Sequence, residues 1–219
     1  MKYRKLIALL LLAFIVSACG SGPVVSPDSP EVESGPQILF ADDFSDTGSG
    51  WDRTDSDVGS TDYDQGSYRI YIQAENSYVW ANPSRNFRDV SVSVDATKAG
   101  GDDDNEFGLI CRHANIENFY IATISSDGFY GFWSRKDGGT LELLNMENML
   151  PAESISQGNS VNTIRLECVG SRLTLYVNDE FVGETVDDSI ESGDVGLYAG
   201  TFSIPGTEIL FDNFVVTAP

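Results

Sequence analysis

The sequence predicts an all-β protein, a two-sheet antiparallel sandwich, on three observations. Residues 106–136 hold three short apolar runs, Phe107–Cys111, Phe119–Ile124 and Phe129–Trp133, separated by the polar breaks His113–Asn118 and Ser125–Gly128. β-Branched and aromatic residues suit a pleated, half-buried surface and the breaks turn easily, so this segment reads as a three-strand meander. Val90–Ala96 alternates valine with Ser or Asp, the pattern of a strand with one buried face. No stretch holds a sustained helical period.

The chain opens on a targeting segment. Lys2, Arg4 and Lys5 precede the apolar run Leu6–Val16, and Ser17 and Ala18 supply small residues before a cut. The run is too short to cross a bilayer as a stable helix. Residues 1–18 are therefore expected to be a signal peptide, and the protein to be extracytoplasmic. Val16-Ser17-Ala18-Cys19 resembles a bacterial lipobox, which implies lipidation of Cys19 and a membrane anchor; an ordinary signal with an incidental cysteine is the alternative. Residues 19–36 contain Pro23, Pro27, Pro30 and Pro36 among Ser, Gly and acidic residues, and read as a flexible linker.

Residues 37–219 are expected to form one domain. The signal carries three of the 13 Lys and Arg and none of the 34 Asp and Glu, leaving ten basic against 34 acidic residues, a net charge of −24. Such a surface repels phosphate backbones, which excludes nucleic acid as a natural partner, and repels anionic headgroups, so membrane attachment is left to the lipid anchor.

Strand signals begin at Gln37–Phe40 and Ala41–Phe44. Asp52–Asp64 reads as polar and irregular, then Ser67–Ile72 and Tyr78–Trp80 resume the strand pattern before Asn82-Pro83-Ser84 breaks it. Lys98–Glu106 reads as a flexible acidic loop after the valine strand. Thr140–Leu144 reads as a strand and Asn145–Gln157 as a longer excursion. Asn162–Cys168 and Arg172–Val177 form a hairpin around Gly170-Ser171, a second hairpin turns at Asn178-Asp179, and Val195–Ala199 and Ile209–Val216 close the domain. Roughly a dozen short strands at regular spacing fit a two-sheet sandwich.

Lipidation of Cys19 leaves Cys111 and Cys168 as a pair. Cys111 alternates with Leu109 and Phe107, and Cys168 with Leu166 and Ile164, so both point into one core. A disulfide between them is predicted for an oxidising compartment, with two buried thiols as the alternative.

Catalytic signals are sparse. The one histidine, His113, stands beside Arg112 at a strand end, and neither a Ser-His-Asp arrangement nor a Gly-x-Ser-x-Gly elbow is present. Binding fits better, because sugar sites combine an aromatic platform with a few polar groups. Tyr120 and Ala122 share one face of their strand, Phe119 and Ile121 the other; Tyr130 and Phe132 alternate with Phe129 and Trp133. One set fills the core and the other faces outward. The candidate ligand residues are Arg112, Tyr120, Tyr130 and Trp133, with Tyr68, Tyr71 and Trp80 earlier in the chain.

Several motifs together resemble concanavalin A-like, laminin G-like jelly-roll domains: Asp42-Asp43-Phe44-Ser45-Asp46 running to Gly50-Trp51, then Gly66–Ile70, Phe107–Arg112, Leu175–Asn178, Val195-Gly196-Leu197 and Phe211–Phe214. The resemblance covers residues 37–219 and includes the neighbourhood of the 3-keto-disaccharide hydrolases. It implies a jelly-roll sandwich and a role among sugar-binding modules, adhesion modules and glycoside-processing enzymes. It also implies a structural calcium between the first and last strands, at positions that correspond here to Asp43 and Asp212; Asp102–Asp104 is a second candidate. Jelly-roll glycosidases often carry a Glu-x-Asp-x-x-Glu strand, and none is present here. The expected function is therefore a lipid-anchored binding module for carbohydrate or another surface ligand. A glycoside hydrolase acting on a disaccharide or polysaccharide, and an adhesion module contacting protein, are its rivals.

Overall fold

The computed structural model describes residues 35–219. The predicted signal peptide, Cys19 and the linker as far as Ser34 lie outside the described residues. Among these there are sixteen strands and no helix. The first five are β1 (Ile38–Asp42), β2 (Thr54–Asp55), β3 (Gly59–Asp64), β4 (Ser67–Ile72) and β5 (Ser77–Ala81). Then come β6 (Val90–Gly100), β7 (Asn105–Asn115), β8 (Asn118–Ile124), β9 (Phe129–Arg135), β10 (Glu142–Leu143) and β11 (Leu150–Pro151). The chain closes through β12 (Val161–Val169), β13 (Arg172–Val177), β14 (Glu180–Val186), β15 (Asp194–Thr201) and β16 (Thr207–Thr217).

These strands form two antiparallel sheets, as the alternation predicts. The nine-stranded sheet runs β14-β13-β12-β6-β16-β4-β3-β2, with β1 also on β16. A register shift between Asp212 and Val215, where Asn213 has φ +54°, divides β16 so that its first half pairs with β4 and its second with β1. The seven-stranded sheet runs β10-β9-β8-β7-β15-β5, with β11 also on β9.

The core lies between the sheets. Val90, Val92, Val94 and Ala96 face it from β6, and Phe107, Leu109 and Cys111 from β7. Cys111 and Cys168 are bonded, with S–S at 2.04 Å, so the predicted disulfide ties the seven-stranded sheet to the nine-stranded one. At one end, Phe44, Trp51, Tyr63, Tyr68 and Phe214 pack edge-on and tilted. Asp42 organises this plug: its two oxygens accept the Phe44 N–H at 2.8 Å and the Trp51 Nε1–H at 2.9 Å. The Asp-Asp-Phe…Gly-Trp motif is thus a local lock on the first strand.

Two segments differ from the sequence reading. Asp52–Asp64 contains β2 and β3, whose inward positions hold Gly59 and Thr61 and so show no apolar rhythm. The loop expected over 98–106 shrinks to a few residues: β6 runs on to Gly100, β7 begins at Asn105, and Glu106 is a buried strand residue. Lys98 pairs with Asp103, and the Asn105 side chain donates to the Asp102 carbonyl at 2.6 Å and to Ser126 Oγ at 3.0 Å, which closes the turn tightly.

Candidate functional site

β7, β8 and β15 are buried on both faces. One face meets the core, so something else covers the other. The cover is a second apolar cluster on the outside of the seven-stranded sheet: Ile110, Phe119, Ile121 and Tyr198 at its floor, with Tyr78, Trp80, Trp133 and Leu141 packed on them and half-buried. The register explains the gathering. Tyr198 lies opposite Trp80 on β5 and Gly108 on β7, and Ile121 opposite Trp133 on β9. Rings then meet across the strands, Tyr78 with Tyr198 at 5.6 Å between centroids, Trp80 with Phe119 at 5.6 Å and His113 with Phe119 at 5.2 Å. Trp133 is held by an Nε1–H donated to Thr123 Oγ1 at 2.8 Å. Beside this strip a hollow of about 590 Å³ is lined by Tyr78, Arg135, Thr140 and Leu141.

A polar group stands at each end of the strip. At one end, Glu106 accepts the Tyr198 hydroxyl on Oε1 at 2.5 Å, while its buried Oε2 has no partner. Burial pushes its carboxyl up to about 7, against the opposing effect of the Tyr198 hydrogen bond. The Glu106 side chain lies over Gly200, where an added Cβ would come 2.6 Å from Oε1; glycine there makes room for the acid. At the other end, the buried Nε2 of His113 is also without a partner, and burial holds the imidazole below its usual range. Asp194, opposite His113 in the register, is pushed up to about 6 by burial, against backbone N–H bonds that favour its charge.

These shifts have a sign. An acid whose folded pKa is raised holds a proton the unfolded chain has already lost, so stability falls as pH rises from the unfolded value to the folded one. For Glu106 that window runs from 4.5 to about 7, and the loss across it is about 3 kcal/mol. E106Q is expected to flatten most of the decline in denaturant midpoint between those limits, leaving the part due to Asp194. An unchanged slope would contradict the assignment.

Of the four predicted ligand residues, Trp133 alone lies on this outer face. Tyr120 is fully buried on the core side, its hydroxyl donating to Asp187 and accepting the Ile190 N–H at 3.0 Å. Asp187, also paired with Lys136, is desolvated, yet hydrogen bonds from Lys136, Ser189 and Tyr120 hold its carboxyl well below the usual range. Tyr130 packs toward the core over Gly183 of β14, where an added Cβ would meet the ring at 2.7 Å. Arg112, 3% exposed, turns inward because its φ is +53° beside register shifts in β7 pairing with β8 and β15. Its guanidinium donates to the carbonyls of Arg88, Ile190 and Gly170 and to Asp89. Arg112 and Tyr120 are buried and both bind the segment 187–190, so neither stands on this outer face. The alternation was right, and the outward set is Phe119, Ile121 and Trp133. Tyr78, Tyr198 and Glu106 were missed, although Trp80 was noted.

The predicted calcium ligands lie on paired strands, Asp43 just past the end of β1 and Asp212 in β16. Asp43 is exposed, and its Oδ1 accepts the Ser45 hydroxyl at 2.6 Å, which lowers its pKa. It lines a cleft of about 590 Å³ with Asp42, Asp46 and Asn213, but Asp212 does not. Asp212 Oδ1 accepts the Asn213 N–H at 2.7 Å. Calcium needs six to eight oxygens; among the described residues no three of His, Cys, Asp and Glu are grouped to hold a metal, Asp102–Asp104 included.

No family model matches the chain, and no curated protein matches it. Solved structures do. The chain is similar to a carbohydrate binding module, CBM66, from Bacillus subtilis, at 17% identity over 78% of this chain and 96% of that one, with a TM-score of 0.61. It is similar to a Bacillus subtilis protein with a galectin-like fold, at 12% identity over 83% and 96%, TM-score 0.60. An endo-β-1,3-glucanase from Pyrococcus furiosus matches at 9% identity over 83% and 94%, TM-score 0.59. At these identities the likeness shows the fold: a galectin-like, concanavalin A-like jelly roll.

Proposed function

We propose that the protein is a carbohydrate-binding module and that its site is the outer face of the seven-stranded sheet. One observation carries this: half-buried aromatic rings are gathered on a face that does not belong to the core, with an unpartnered polar atom at either end. Sugars offer apolar ring faces to aromatic platforms and hydroxyls to the groups beside them. The jelly-roll likeness to a carbohydrate binding module and a glucanase supports the same class.

The acids of this face argue for binding over hydrolysis. Glycosidases place two carboxyls within about 10 Å across one bond. Glu106 and the Asp194 end, opposite His113, are seven residues apart along β7, roughly 20 Å of strand.

The reading includes the location. The charged start, apolar run and Cys19 support export and lipid anchoring, and the Cys111–Cys168 bond suits an oxidising compartment. A glycan array probed with the wild type and with W80A tests the function. At least one glycan class is expected to bind, and W80A to weaken it about tenfold or more. A blank array, or binding indifferent to W80A, would overturn the reading.

A further inference from the structure

We propose that this face selects glycans that carry protonated amines, and that Glu106 is the residue that receives the amine. This rests on the carbohydrate reading above and narrows it to a substituent.

The argument begins with the unpartnered oxygen. Glu106 is 7% exposed, and only one of its two carboxyl oxygens has a donor. A buried oxygen without a donor is a standing cost, and such groups in native proteins call for a reason. An ammonium supplies both the missing hydrogen bond and the opposite charge. The surroundings suit a cation. The rings of Tyr198 and Tyr78, 5.6 Å apart, stand beside the acid, and aromatic faces attract ammonium groups. Only Gly200, bare of side chain, separates Glu106 from Tyr78 across β15. Tyr78 also forms a wall of the hollow, which sets the hollow one strand away from the acid, across Gly200.

Charge along the face points the same way. Asp194 stands at the far end, where the charge of nearby Asp52 reaches both Asp194 and His113. Arg135, the cation on the wall of the hollow, has its Nε–H tied to the Gly139 carbonyl at 3.0 Å. The ten basic against 34 acidic residues beyond residue 18 draw a polycationic chain toward the protein from a distance. A neutral glycan gains nothing from this long-range attraction.

Binding has a proton balance. Below about pH 7 the Glu106 carboxyl carries a proton. An arriving ammonium restores the carboxylate and that proton leaves to solvent, while the amine keeps its own.

The test is a calorimetric titration at about pH 6 with three oligosaccharides of equal length: fully deacetylated glucosamine, N-acetylglucosamine and glucose, all β-1,4-linked. The deacetylated chain is expected to bind about tenfold or more tighter than either of the others, and to weaken as salt rises. Titration in two buffers of different ionisation enthalpy is expected to show about one proton released by the wild type and none by E106Q. E106Q, which keeps the shape of the side chain, is expected to remove the preference for the amine. Equal affinity for the three chains, or an E106Q preference equal to wild type, overturns amine selection and leaves the carbohydrate site standing. Deacetylated binding that survives W80A, or is matched by an oligolysine of equal charge, overturns it as unspecific attraction. If no glycan binds at all, here or on an array, both readings fail.

Discussion

Replacing Cys111 and Cys168 together by alanine is expected to lower stability by about 4 kcal/mol. The bond closes a loop with a sequence separation of 57 residues, so its removal returns a large conformational freedom to the unfolded chain. It also joins the two sheets directly, since β7 belongs to one and β12 to the other. Both sulfurs are fully buried, and alanine leaves a small void that adds to the loss. Differential scanning calorimetry should read a drop in Tm of about 8–16 °C for a domain of this size. A drop under about 4 °C would mean that the bond adds little to a sandwich already held by its core.

R112A is expected to cost about 3–5 kcal/mol, more than any exposed arginine in the chain. The four bonds of Arg112 reach three separate segments: the run before β6, the turn between β12 and β13, and the loop before β15. Truncation leaves the Ile190 carbonyl without that donor in a buried place, which is the costly case, and those of Arg88 and Gly170 without it in part-buried ones. Asp89 keeps the Gly170 N–H at 2.9 Å. R112K restores the charge but lacks the planar fork, and is expected to recover less than half of the loss. Arg53, paired with Asp62 at the surface with 52% of its side chain exposed, is the control, and R53A should cost under about 1 kcal/mol. Urea midpoints measure all three. An R112A loss near that of R53A would contradict the assigned role.

The fold was legible because most strands have one wet face. In β6 and β12 the alternation of valine, isoleucine or leucine with polar residues states which side is inward. The same signal placed both cysteines on the core side, where they are bonded. It fails where both faces are covered. In β8, Phe119 and Tyr120 are both fully buried, so the alternation separates two sets without saying which is the core. The inward set supplied Tyr120 and Tyr130, and the proposed site draws on the other. Arg112 was lost to a local break in alternation, since a positive φ beside a register shift turns inward a side chain that the rhythm sends outward. Glu106 was lost to composition: it ends a run of Asp and Asn that reads as solvated, and only the register with Gly200 shows that the acid is buried. Pairing of β15 with both β5 and β7 joins Tyr78, Trp80, Tyr198 and Glu106 into one surface, and that joining is a long-range fact.

The outer face of the nine-stranded sheet provides the contrast for the central claim. It carries its own aromatics, Tyr176 and Phe181, in edge contact at 5.9 Å, with the Arg165 guanidinium over the Tyr176 ring at 3.7 Å. The most direct measurement is a titration of wild type, W80A and Y176A with whichever oligosaccharide an array selects. Loss of affinity in W80A with Y176A unchanged is the result expected of a site on the seven-stranded sheet. Loss in Y176A with W80A unchanged would place the ligand on the opposite face and contradict the account.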